Sequence, residues 1–182
     1  MRGNFFWRYY ENLNKILKDS DGKKLKKLTN LIHQQSKFNR RIIIAGNGGS
    51  ASIAAHICVD FCKELSLKAI NFNEANLITC FANDYGYENW LKKAIEKYYQ
   101  KNDLIILISS SGSSKNILNA AKYANKKKIK LVTLSGFSKD NKLKKLGLLN
   151  LWCNSSSYNF VEMTHYIWLV SVVDLLKVNY GK

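Results

Sequence analysis

Two short turns in the sequence carry a high density of small and hydroxylated residues. Gly46-Asn47-Gly48-Gly49-Ser50 follows the apolar run Ile42–Ala45, and Ser109-Ser110-Ser111-Gly112-Ser113-Ser114 follows Leu104–Ile108. Each stands where a strand should end and a helix begin. Free backbone N–H groups and the positive end of the helix dipole make such a place receptive to anions. Serine hydroxyls add donors without a charge to desolvate, so the chemistry is that of a phosphate cradle. The first turn lacks the lysine of a P-loop, and Ala51 breaks the G-x-G-x-x-G spacing, which disfavours nucleotide binding. Either turn alone is also an ordinary polar loop with a helix N-cap. Two of them at matching places favour a phosphate site.

His56 and Asp60 lie four residues apart after the first turn, and on a helix they share a face. That spacing suits two metal ligands, or an acid/base pair aimed into one pocket. It is equally the spacing of a surface pair with no chemistry. The four cysteines, Cys58, Cys62, Cys80 and Cys153, form no C-x-x-C pair. They read as buried, reduced thiols that pack as small apolar side chains. His33 has no partner that the sequence can name.

The elements that must position these residues follow from hydrophobic patterning. "FFWRYYENLNKIL" and "KLKKLTNLIHQQ" read as two amphipathic helices, with Leu25, Leu28, Leu31 and Ile32 at helical spacing and Gly22 marking the break. Five strands are expected at Ile42–Ala45, Ala69–Phe72, Leu104–Ser109, Leu131–Ser135 and Leu148–Cys153. Helices are expected over Ser50–Leu65, Glu88–Gln100, Lys115–Lys127, a short stretch near Lys139–Leu146, and a closing helix over Val161–Val178. The strands are continuous apolar runs, as in a parallel sheet covered on both faces. The reading is one α/β domain over 1–182, with N-terminal helices in 1–38 and an α/β core in 39–182. If the strands take the order 2-1-3-4-5, the two turns flank the topological switch point, where ligands bind.

The chain has 182 residues, enough for one domain with a real core, and no apolar run approaches a membrane span. Its start, "MRGNFFWRYYENLNK", lacks the apolar core and cleavage site of a signal peptide, so a cytoplasmic location is expected. The net charge of +16 raises nucleic acid as a partner. The basic residues, however, are mostly lysines spread along the chain, and no arginine–aromatic cluster offers a base-reading surface. Charge alone supports nucleic-acid binding, and it is disfavoured.

The segments "GNGGSASIAAH", "FANDYGYENW", "ISSSGSSKNILNAAKYA" and "LVTLSGF" resemble the sugar isomerase (SIS) domain, and most nearly its phosphoheptose isomerase branch. The likeness spans about Arg41 to Leu176 in order and spacing. It implies a three-layer α/β sandwich with a five-stranded parallel sheet in flavodoxin-like order. It also implies a homotetramer with sites at subunit boundaries, and a bound sugar phosphate. By position, Ser109, Ser110, Ser111 and Ser114 would hold phosphate, Ser50 would assist, and Asn47 and Asp84 would contact the sugar. Without the resemblance, Asp84 is a turn residue capping the next helix.

Asp60 takes the place of the family's catalytic Glu, one methylene shorter, and Glu162 that of a residue facing sugar or metal. Some members bind zinc through the histidine matching His56, which implies a zinc set of His56, Asp60 and Glu162. The closing helix departs from the family. Val170 stands where the catalytic histidine should be, Asn159 replaces an Asp, and His165 matches a histidine that reads as structural. The resemblance therefore implies an isomerase acting on sedoheptulose 7-phosphate with Asp60 as principal acid/base. Val170 keeps a second outcome open, a non-catalytic phosphosugar-binding protein acting through protein partners.

Overall fold

The computed structural model describes residues 4–180. A parallel five-stranded sheet forms its centre: β1 (Arg41–Ala45), β2 (Lys68–Ile70), β3 (Leu104–Ser109), β4 (Lys130–Ser135) and β5 (Leu149–Trp152), in the order β2-β1-β3-β4-β5. The helices are α1 (Phe5–Lys18), α2 (Gly22–Lys37), α3 (Gly49–Leu65), α4 (Ala75–Tyr85), α5 (Trp90–Tyr98), α6 (Lys115–Lys126) and α7 (Tyr158–Tyr180), with a 3-10 turn at Leu143–Lys145. The expected three-layer sandwich and strand order are both present.

Alternation of side chains across the pleat explains the unbroken apolar strands. Ile42 and Ile44 of β1 pack into a core layer with Leu28, Ile57 and Leu169 from α2, α3 and α7. Ile43 and Ala45 point the other way, into a layer with Leu91, Ile95 and Ala121 from α5 and α6. At the end of the sheet opposite the two turns, Arg41 donates from Nε and Nη2 to the two oxygens of buried Asp103, at 3.2 and 2.7 Å. That fork joins the starts of β1 and β3 and so sets the relative heights of their far ends, where the turns lie.

Four expectations need correction. Helix α4 was not foreseen: it buries no residue fully, although Leu77, Ile78, Phe81 and Ala82 recur at helical spacing and pack, partly buried, against the α5–α6 layer. Strand β2 ends at Ile70, and Phe72 instead packs beyond the strand in the α5–α6 layer. Gly22 does not break the N-terminal helices but opens α2, whose cap is Asp21, accepting from the Lys24 N–H at 3.1 Å. Cys58 and Cys153 are buried, whereas Cys62 and Cys80 are exposed. Burial pushes the Cys58 thiol up to about 11, so it is inert. Among the described residues, no helix is long and apolar enough to cross a membrane.

Candidate functional site

The first turn leaves β1 at Ala45 and enters α3 at Gly49. Gly48 holds φ +52°, a conformation only glycine adopts cheaply. A Cβ on Gly46 would come within 2.7 Å of the Ser50 backbone, so the turn folds onto its own helix. The second turn leaves β3 at Ser109 and enters α6 after Ser114, with Gly112 at φ +64° against Asn141. No side chain caps the N-terminus of α3 or α6. Both helices therefore present uncapped N–H groups at the same end of the sheet, at the switch point between β1 and β3.

The serines converge as expected. Ser109 Oγ donates to Ser114 Oγ at 3.1 Å, Ser111 and Ser113 hydroxyls stand 2.8 Å apart, and Ser50 and Ser110 hydroxyls meet across the two turns at 3.4 Å. Together Asn47, Ser50, Ile108, Ser109, Ser110, Ser111, Ser114, Tyr158 and Glu162 enclose a cavity of about 100 Å³. No Lys or Arg lines it. An anion placed there would be met by helix ends and hydroxyls.

Glu162 reaches the cavity from the first turns of α7. Its carboxylate lies against Gly49, so close that a Cβ there would overlap it. It thus sits at the positive end of α3. Among the described residues no cation pairs with it within 4 Å. Sequence reasoning missed Ile108 and Tyr158. Ile108 read as strand core. Tyr158, its ring tilted against Phe137 at 4.8 Å between centroids, opens α7 without any motif.

His56 and Asp60 do meet: Nε2 and Oδ2 are 3.2 Å apart. The His56 ring also stands edge-on to Tyr166 of α7 at 5.2 Å. Neither residue lines the serine cavity. At 1.5 Å per residue, His56 lies about 9 Å and Asp60 about 15 Å along α3 from Ser50. Val170 follows Glu162 by about 12 Å along α7 and packs, half-buried, against the α2–α3–α7 core layer. Asp84 is exposed in the last turn of α4, where it accepts from Asn83 Nδ2 at 3.1 Å. It neither lines the cavity nor caps α5, whose N-cap is Asn89.

The zinc set does not assemble within one chain. Among the described residues no three His, Cys, Asp or Glu side chains come together as a metal site. His56 and Asp60 supply two donors where a catalytic zinc needs three from the protein, and Glu162 belongs to the serine cavity. His165 is fully buried, and its Nε2–H donates to the Ser135 carbonyl at 3.1 Å. Burial pushes its pKa down to about 4, so it is a neutral anchor of α7 on β4. That is the structural part expected of it. His33 stacks on Tyr180 at 3.6 Å.

These features match known proteins. Residues 6–136 match the SIS domain family. The chain is 32% identical over 164 residues to the phosphoheptose isomerase of Helicobacter pylori (strain ATCC 700392 / 26695), covering 86% of this chain and 84% of that one. Among solved structures, phosphoheptose isomerase GmhA from Neisseria gonorrhoeae superposes with a TM-score of 0.88 at 20% identity, over 97% of this chain and 99% of that one. The Vibrio vulnificus NanR protein complexed with ManNAc-6P superposes with a TM-score of 0.72 at 21% identity, over 94% of this chain and 60% of that one. The two structural likenesses are likenesses of fold.

Proposed function

We propose, from the premise that the chain belongs to the SIS domain family and to its phosphoheptose isomerase branch, that it is a sugar-phosphate isomerase acting on sedoheptulose 7-phosphate. The observation that carries this reading is the cation-free serine cavity at two uncapped helix N-termini, with Asn47, Tyr158 and Glu162 around it. The cavity has room for a phosphate and little more. A heptulose phosphate carries its phosphate at one end and its reacting carbons at the other. With phosphate held by Ser109, Ser110, Ser111 and Ser114, and Ser50 assisting, the sugar extends past Asn47 and Glu162; Asp60 of the same chain lies about 15 Å along α3 from Ser50, beyond the reach of a heptulose phosphate, so His56 and Asp60 would come to its carbons from another copy of the chain.

Isomerisation needs a base that lifts the proton beside a carbonyl and returns it to the neighbouring carbon. Asp60 is the group for this. One carboxylate oxygen meets His56 Nε2 at 3.2 Å, and the other is left to take the proton. Glu162 and Asn47 accept and donate to sugar hydroxyls, and Asp84 contacts the sugar from another copy of the chain.

The same reading supplies the quaternary state. Phe5, Phe6 and Trp7 of α1 are each about two-thirds exposed and Tyr10 more than half, while Tyr9 is partly covered by Phe160 at 4.6 Å. A patch of this kind is seldom left to water. We assign it to contacts in a homotetramer, so light scattering should give four times the chain mass of 20.9 kDa, and a monomer at micromolar concentration would refute the assembly.

Val170 favours a second reading, a phosphosugar-binding protein without turnover, and the fold of NanR shows that this architecture also serves a protein complexed with a phosphosugar. Turnover of sedoheptulose 7-phosphate decides between them. Isomerase activity in the wild-type chain, raised roughly 10- to 10³-fold by Val170→His on the scale of general acid–base catalysis, is the expected result. Tight binding with no turnover, before and after the substitution, establishes the second reading.

A further inference from the structure

The two turns are joined by a pair of carboxamides that no motif announces. Asn47 belongs to the first turn, and Asn116, 69 residues away, is the second residue of α6. Asn47 Nδ2 donates to Asn116 Oδ1 at 2.9 Å, and Asn116 Nδ2 donates to Asn47 Oδ1 at 2.8 Å. The two amides therefore close a ring of two reciprocal hydrogen bonds. Asn116 is 2% exposed and lines none of the cavities around the turns, whereas Asn47 is half-buried and lines the serine cavity. Asn47 also lines a second cavity of about 330 Å³ on the other side of the first turn, between the start of α3, α4 and Trp90.

We infer that Asn116 is a positioning residue for the sugar: it holds the Asn47 carboxamide flat and immobile, so that its unused N–H and lone pair face the ligand before the ligand arrives. This rests on the sugar-phosphate reading above. A free asparagine on a glycine-flanked turn has two rotatable side-chain bonds, and ordering it on binding weakens affinity. The ring removes that cost in advance. It also uses one N–H and one lone pair of Asn47 and leaves one of each at opposite edges of the amide, so that the N–H can donate to one sugar hydroxyl and the lone pair accept from another. The phosphate end makes no such demand, because hydroxyls and helix N–H groups serve it. Asn116 should therefore matter to the sugar and not to the phosphate.

The test measures two ligands, inorganic phosphate and sedoheptulose 7-phosphate, by calorimetry on the full chain. Asn116→Ala should weaken the sugar phosphate roughly 3- to 10-fold, the range of one or two neutral hydrogen bonds, and leave inorganic phosphate within two-fold or so. In an Asn47→Ala background the same substitution should cost nothing further, since a residue that acts through Asn47 has nothing left to hold. Asn116 is buried, so Asn116→Ser is made in parallel, and retained phosphate binding reports that each variant is folded. If both variants lose phosphate binding, the wild-type chain decides: in 15N relaxation measurements its Asn47 side-chain amide should be as rigid as the backbone around it without ligand. An Asn47 amide as mobile as that of an exposed asparagine overturns the inference. So do equal losses for both ligands, or losses that add to that of Asn47→Ala. A wild-type chain that binds phosphate but no sugar phosphate overturns the functional reading itself, and is told apart by the wild-type measurement alone.

Discussion

At the start of α3, Ser50 is buried with Ser109 and Ser110 around it, and hydroxyls and carboxamides are already bonded into place beside the uncapped helix ends. Further along the same helix, the His56 side chain is 53% exposed and Asp60 24%, and they meet across open surface. On the function proposed above, one helix thus carries an anion site and an uncovered acid/base pair. The anion site would work by fixed dipoles in a buried place, where they need no reorganisation when the ligand binds. The acid/base pair lacks that shelter, and water weakens every electrostatic interaction there. On that function one chain would complete the binding half by itself. The reacting half needs a cover, and a second copy of the chain seated along α3 and α7 would provide one.

The sharpest way to break this division is at Asp60. Asp60→Asn keeps the shape and removes the base. It should lower kcat for sedoheptulose 7-phosphate by about 10²- to 10⁴-fold and leave the binding constant nearly unchanged. Activity that survives in Asp60→Asn would mean that the proton transfer belongs to another group. A comparable loss of binding would erase the distinction between the two regions.

The complementary cut is at the serines. Ser111→Ala with Ser114→Ala removes two hydroxyls from the cavity but no charge. Hydrogen bonds to charged groups contribute about 1.5–3 kcal/mol each, so the pair should weaken binding of inorganic phosphate and of sugar phosphate alike by roughly 10²- to 10⁴-fold. The His56–Asp60 contact should be untouched. Affinity equal to wild type by calorimetry would remove the phosphate from this cavity.

The two regions also differed in how much of them the sequence disclosed. The strands were legible because a strand buried on both faces must be apolar throughout, and the turns because only glycine and small hydroxylated residues tolerate such bends. His56 and Asp60 were legible as a pair because the helix repeat dictates it. What the sequence could not disclose was long-range. The Asn47–Asn116 ring joins residues 69 apart, Tyr158 reaches the cavity from α7, and Asp84 lies away from it. Helix α4 was legible and was passed over: Leu77, Ile78, Phe81 and Ala82 recur at helical spacing and pack, partly buried, against the α5–α6 layer.

The finest test lies at Gly49, where the cavity and α7 touch. Its φ is not in the left-handed region, so alanine fits the backbone, and the three atoms nearest a new Cβ all belong to the Glu162 carboxylate. That carboxylate is the end of a flexible side chain and can move aside, so Gly49→Ala should leave the thermal midpoint nearly unchanged. Glu162 would then leave the N-terminus of α3. A negative charge beside an anion site opposes the anion, whereas a carboxylate facing the sugar accepts from its hydroxyls. Displacing Glu162 should therefore strengthen inorganic phosphate and weaken sugar phosphate, each by roughly 2- to 5-fold, the size of helix-end charge effects. Opposite signs for the two ligands would show that Glu162 serves the sugar at the expense of the phosphate. A loss for both would mean that the new methyl group blocks the cavity directly and that Glu162 has no separate part in selecting the ligand.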